Sequence, residues 1–172
     1  VESGETLSRI ASDYGVPSQM IARLNGIDRP ERLRVNQQLK VIDGTPKIII
    51  DKSAFTLTLL IDGAYIKQYK VGLGRNGKTP TGEFIIKTRL KHPAWYPPEG
   101  GKIEYGEEGY LLGARWLGFN NKPGASGFGI HGTNDPESIG QQRSNGCIRM
   151  LNEEVKQLYA FVGKGTAVTI ME

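Results

Sequence analysis

Two side chains could do chemistry together. Cys147 is the only cysteine of the 172 residues, and His131 is one of two histidines. Sixteen positions separate them, through Gly132-Thr133-Asn134-Asp135-Pro136 and on to Arg143-Ser144-Asn145-Gly146. Gly, Pro, Asn and Ser form turns and loops, so this stretch can fold back and bring its ends together. A thiol is only slightly ionised at neutral pH, and the thiolate is the nucleophile. An imidazole beside it can take the proton, and the resulting imidazolium then stabilises the sulfur anion. Gly146 leaves room for a substrate carbonyl close to the backbone. The N–H groups of Gly146 and Cys147 could then face a developing oxyanion. The same two residues also fit a plainer account, a small buried thiol and a hydrogen-bonded structural histidine.

The wider string narrows the choice. Ile130-His131-Gly132-Thr133, then Ser144-Asn145-Gly146-Cys147-Ile148-Arg149-Met150, resembles the active-site signature of the L,D-transpeptidases of bacterial cell-wall synthesis. Thr79-Pro80-Thr81-Gly82-Glu83-Phe84 resembles a second stretch of that family. The resemblance covers residues 47–172. Members often carry His where this chain has Asn145, so a second imidazole is absent here.

Composition suits a globular protein: 38% of residues are hydrophobic and 23% charged, and 172 residues can bury a domain core with a small module beside it. No apolar run reaches the length of a membrane span, and no signal peptide opens the chain. It begins at Val1 without methionine, so the removal of a targeting segment is compatible with the sequence. A single cysteine excludes an intramolecular disulfide. The net charge is +4; residues 1–46 carry six basic and six acidic side chains, and the other 126 carry sixteen and twelve. The excess therefore lies in the larger part, as attraction to an anionic wall or as a solvated surface. No basic block interleaved with aromatics points to nucleic acid.

The elements that must position the pair follow in chain order. Thr6 caps a first helix with Leu7, Ile10, Ala11 and Tyr14 on one face, and Gly15 stops it. Pro17 or Ser18 starts a second helix with Met20, Ile21 and Leu24 inward, ending at Asn25-Gly26. Gln38 to Ile42 reads as a short strand. Ser3-Gly4-Glu5-Thr6-Leu7, Ile10-Ala11, Tyr14-Gly15-Val16, Leu24-Asn25 and Val35-Asn36-Gln37-Gln38-Leu39 resemble a LysM module, a βααβ unit that binds N-acetylglucosamine glycans; of its first strand only Val1 is present. Residues 1–43 are thus expected to be this module and 44–46 a linker, Asp43 to Pro46 having linker composition.

Beyond the linker the period changes from 3.6 to 2. Lys47 to Ile50 is a strand. Phe55, Leu57, Leu59 and Ile61 share one face of the next. Asp62-Gly63 is a hairpin turn, and Tyr65 to Val71 returns. Gly72 to Gly82 is a loop and Phe84 to Lys87 a strand. Lys91 to Gly109, with Trp95-Tyr96-Pro97-Pro98, is irregular and long enough for a flap. Leu111-Leu112, Arg115 to Phe119 and Gly127 to Ile130 are strand-like. Asn152 caps a helix with Val155, Leu158, Tyr159 and Val162 inward, and Thr166 to Ile170 is the last strand. The fold expected for 47–172 is mainly β with one late helix, which the resemblance makes a β-sandwich-like transpeptidase domain.

The resemblance also implies a mechanism. Cys147 attacks a peptidoglycan tetrapeptide stem between its third residue and terminal D-Ala, and His131 shuttles the proton. The backbone carbonyl of Gly132 orients the ring. An acceptor amine then resolves the thioester into a cross-link, or water does so, giving a carboxypeptidase. No cofactor or metal is implied; the partners are stem peptides and glycan strands, the location is extracytoplasmic, and carbapenems acylate the cysteine. Arg149 is a candidate anchor for a substrate carboxylate or a structural ion pair. Ser144 and Asn145 flank the nucleophile as candidate substrate contacts, Ser144 more as a shaper of the loop. Three other classes fit fewer residues: a zinc hydrolase using His92, His131 and Cys147, a cysteine protease of another fold, and a cell-wall binding protein without catalysis.

Overall fold

The computed structural model describes residues 1–97 and 99–172; Pro98, part of the expected flap, lies outside the described residues. Thr6 opens helix α1 (Leu7–Asp13) by accepting the Arg9 N–H at 3.2 Å, in the extended conformation that an N-cap requires. Leu7, Ile10 and Ala11 are buried, but Tyr14 lies past the helix and is 51% exposed, contrary to the expectation from its spacing. Helix α2 (Ser18–Leu24) buries Met20 and Ile21 completely.

The strand expected at 38–42 does not form: among the described residues, no strand precedes Pro46. The physical reason lies in Asn25. Its side chain accepts the Lys40 N–H and donates to the Lys40 carbonyl, each at 2.7 Å, meeting the needs a ladder partner would meet. At the other end, Val1 is tied in by its amine to Gln37 O at 3.0 Å and by the Asn36 N–H to its carbonyl at 2.8 Å. The helices pack into an apolar cluster that takes in Ile61 and borrows Ile66 and Phe161 from the larger part of the chain.

Strand β1 (Pro46–Asp51) starts at Pro46, one residue before the position expected. It pairs antiparallel with β2 (Thr56–Ile61), setting Ile48 opposite Leu59 and Ile50 opposite Leu57, all four fully buried. Phe55 precedes β2 in a turn with φ +54° and only partly enters the core. Asp62 and Gly63, both at positive φ, make the turn to β3 (Ala64–Lys70). Within the expected loop, β4 (Leu73–Gly74) forms a short strand.

Strand β5 (Gly82–Lys91) runs longer than its apolar stretch and changes partners along its length. Its first half pairs with the last strand, and its second half with β6 (Arg115–Phe119). The expected strand at Leu111-Leu112 is absent; that segment is a turn where Tyr110 is anchored through its hydroxyl to Pro93 O and Gly113 O. Strand β7 (Gly129–Thr133) follows, then β8 (Gln142–Ser144), parallel to β4, and β9 (Ile148–Leu151), parallel to β7. Helix α3 (Asn152–Phe161) and β10 (Ala167–Met171) complete the chain. Val155, Leu158 and Tyr159 are inward, as expected, but Asn152 is not the cap: that position is Leu151, with no side-chain bond.

The large sheet has the order β3-β2-β1-β10-β5-β6-β7-β9. Because β5 belongs to both halves, residues from either side, such as Ile48 and Leu57 on one and Leu117, Ile130 and Ile148 on the other, enter one core with α3. This is the mainly β architecture with one late helix that the alternation in the sequence implied.

Candidate active site

Alternation on β7 decides which way the histidine faces. Ile130 points into the core and is fully buried, so His131 points to the opposite face. On that face the registers put Trp116 of β6 opposite His131 on one side and Arg149 of β9 opposite it on the other. The next position in the row is Gly72, bridged to Arg149 by paired backbone bonds of 2.9 Å. The Trp116 indole stacks beside the imidazole with centroids 5.9 Å apart, and its N–H reaches Thr88 Oγ1 at 3.3 Å. So covered, His131 is only 4% exposed although it faces away from the core.

The ring is fixed at one nitrogen. His131 Nδ1 lies 2.6 Å from the Gly132 carbonyl. A carbonyl only accepts, so Nδ1 carries the proton of this contact and Nε2 keeps its lone pair. Burial pushes the imidazole down to about 4; the Gly132 bond works against that shift and the Arg149 charge adds to it.

Cys147 stands two residues before Arg149, ahead of β9. Its sulfur is 3.8 Å from Gly127 O. Burial raises its pKa, opposed by a backbone bond from Gly129 and by the Arg149 charge. Burial therefore disfavours the charged form of each group, thiolate and imidazolium alike.

The loop before Cys147 is held from beneath. Ser144 Oγ donates to Cys147 O at 2.6 Å and accepts the Gly146 N–H at 3.0 Å. The Gly146 N–H therefore points at Ser144 and not toward an oxyanion, as the sequence reading had it. Thr79, 1% exposed, accepts the Gly74 N–H at 2.8 Å and donates to Gly146 O at 2.9 Å. Gly146 has φ +134°, and a Cβ there would run into the Phe128 ring. Asn145 turns outward and accepts from Arg75 Nη2 at 2.7 Å.

Arg149 is 18% exposed and shares Asp135 with Arg143, at 3.8 and 3.7 Å. Both are charge contacts beyond hydrogen-bond length. His92 is stacked on Tyr105 at 4.0 Å, and among the described residues it does not converge with His131 and Cys147 on a metal site.

The profile of the L,D-transpeptidase catalytic domain, YkuD, matches residues 45–170. The chain belongs to the L,D-transpeptidase family. The LysM domain profile matches residues 1–41. A Bacillus subtilis (strain 168) protein provisionally named L,D-transpeptidase YkuD is 35% identical over 178 residues, which cover 99% of this chain and 96% of that one. Another from the same organism, provisionally named L,D-transpeptidase YqjB, is 40% identical over 134 residues, covering 76% of this chain and 74% of the other. The crystal structure of L,D-transpeptidase 3 from Mycobacterium tuberculosis in complex with a faropenem-derived adduct is similar in fold, with TM-score 0.60 and 17% identity over 75% of this chain and 61% of that one.

The sequence signature contains His131, Gly132, Cys147 and Arg149; β7 and β9, paired at one edge of the sheet, carry all but Cys147, which directly precedes β9. Three contributors were missed. Trp116 lay in an expected strand, but nothing local says that its register meets His131. Thr79 was visible as part of its Thr-Pro-Thr-Gly string, though not as a fastening under Gly146. Asp135 lay unremarked in the loop.

Proposed function

We propose that this chain acts on peptidoglycan tetrapeptide stems through an acyl-enzyme at Cys147. The observation that carries the reading is the 2.6 Å contact between His131 Nδ1 and the Gly132 carbonyl, which leaves Nε2 its lone pair in a ring whose strand neighbour, Arg149, stands two residues after Cys147. Cys147 Sγ attacks the carbonyl between the third stem residue and terminal D-Ala while its proton passes to His131 Nε2. With the Gly146 N–H engaged, the Cys147 N–H is the backbone donor for the oxyanion. The C–N bond breaks, and His131 returns the proton to the amine of D-Ala. An acceptor amine then gives up a proton to His131 and attacks the thioester. Collapse forms the cross-linking amide and expels sulfur, which regains the proton. Burial, which disfavours charge on both groups, suits this course, because charge appears only as the bond forms.

Arg149, with its loose hold on Asp135, is the anchor for a stem carboxylate. Residues 1–43 form the glycan-binding module, 44–46 the connection and 47–172 the catalytic domain, working outside the cytoplasm on the wall. An open groove on the module, between Ile27 and Gln37 and containing Leu33 and Val35 beside Arg29 and Arg34, is a surface on which a glycan strand could lie.

The test is intact mass spectrometry after incubation with a tetrapeptide stem and, separately, with faropenem. Wild type gains a covalent adduct mapped to Cys147 and releases D-Ala from the stem; Cys147→Ala does neither. An unmodified wild-type protein, or an adduct that survives in Cys147→Ala, overturns the reading. D-Ala release with hydrolysed stem and no cross-linked product identifies a carboxypeptidase instead.

A further inference from the structure

Asn152 was expected to cap α3 and does not. It occupies the first turn of that helix, and its side chain leaves the helix altogether. Its Oδ1 accepts the Ala114 N–H at 2.8 Å, and its Nδ2 donates to the Thr133 carbonyl at 3.1 Å, with Asn134 Oδ1 at 3.4 Å. Asn134 Nδ2 in turn donates to Tyr110 O at 3.1 Å. One amide thus holds together the end of β7, which carries His131, and the turn that closes the 92–114 segment.

The packing around that amide is unusually close. A Cβ on Gly132 or on Gly113 would collide with Asn152 Oδ1. One on Gly113 would also stand 2.5 Å from the Gly132 carbonyl carbon. Gly113 and Asn152 therefore both press on the residue whose carbonyl receives the His131 Nδ1–H. That contact reaches Gly132 from the side away from the imidazole.

We infer that Asn152 is a positioning residue for His131: it sets the Gly132–Thr133 backbone, and with it the carbonyl that orients the imidazole, and couples both to the base of the 92–114 segment. The inference rests on the functional reading above, in that His131 is the base whose orientation matters. Asn152 does not itself reach the sulfur or the substrate. Its effect passes through two backbone carbonyls, and a small displacement of the ring lowers the rate steeply because proton transfer needs aligned, close partners.

The experiment compares wild type, Asn152→Ala and Asn152→Asp in the full chain with 15N-labelled histidine. The His131 Nδ1–H, donating to a carbonyl at 2.6 Å, gives a downfield, slowly exchanging resonance in wild type. In Asn152→Ala it moves upfield and exchanges faster. Acylation of Cys147 falls on the order of ten- to a hundred-fold while KM for a short stem stays unchanged, as loss of alignment predicts. Asn152→Asp keeps the acceptor for Ala114 but puts an oxygen against Thr133 O in place of a donor, so it behaves like Asn152→Ala on both readouts. Thermal melting sets the folded fraction, so that a fall in rate caused by unfolding is recognised. A resonance and a per-folded-molecule acylation rate that match wild type in Asn152→Ala overturn the inference, as does a wild-type-like Asn152→Asp. If wild type itself forms no adduct, the functional reading fails, and the resonance still decides whether Asn152 holds the ring.

Discussion

The buried imidazole should leave a signature in stability that is separable from catalysis. His131 is 4% exposed and pushed down to about 4, against an ordinary value of 6.5. As pH falls, the unfolded chain binds this proton first, so the folded state loses ground between the two values and is fully supported above the upper one. Across that window the two-site expression gives a loss on the order of 2–3 kcal/mol relative to neutral pH. Substituting His131→Gln removes the titration but keeps a polar, neutral side chain. Urea unfolding of both proteins, from about pH 7.5 down to about pH 4.5, measures the difference, and the carboxylates and His92 are common to both and cancel. Wild type should lose on the order of 2–3 kcal/mol more than the variant over that range. Parallel stability curves would refute the argument, because they would mean that the folded imidazole is as easily protonated as a free one.

Three further outcomes follow from the same geometry. Gly146→Ala places a Cβ into Phe128 at a φ that L residues avoid; it should destabilise the fold by about 1–3 kcal/mol and lower acylation, checked by thermal melting and adduct formation. Arg149→Met removes a cation that lowers the Cys147 pKa; the pH midpoint for iodoacetamide alkylation of the sulfur should move upward, and an unchanged midpoint would mean that the charge is screened from it. The 47–172 fragment uncovers Ile61, Ile66 and Phe161, which pack on the N-terminal cluster; it should melt lower, turn over a short soluble stem at close to the full-length rate, and lose on the order of tenfold in activity on insoluble peptidoglycan, as tethering arguments allow.

Much of this was legible in the residues themselves. Leu57, Leu59 and Ile61 declared a half-buried strand by alternation, Asp62-Gly63 declared its turn, and the His131 to Arg149 string declared the family. What failed to show was set by partners distant in sequence. Gln38 to Ile42 has the composition of a strand, yet the Asn25 amide takes its backbone groups. Leu111-Leu112 is apolar enough for a strand, yet Tyr110 fixes it as a turn. Asn152 has the residue type of a cap, and two glycines from other elements drew it elsewhere. The burial of His131 was likewise invisible, since it arises from the stacking of Trp116 across the sheet.

The place of β10 in the sheet bears on how the catalytic domain can come into being. The last strand in chain order lies between β1, the first, and β5, with Val168 and Ile170 beside Ile48 and Ile50. Among the described residues, β1 and β5 are joined in the sheet only through it. During synthesis, everything from β1 to β9 emerges before that strand, so the loop ahead of Cys147 is made before the sheet can close. Until β10 inserts, the edges of β1 and β5 stand open to one another's mispairing. Removing a handful of residues after Thr166 would thus take out a middle plank rather than shorten an end, and would leave β1 and β5 without their common partner.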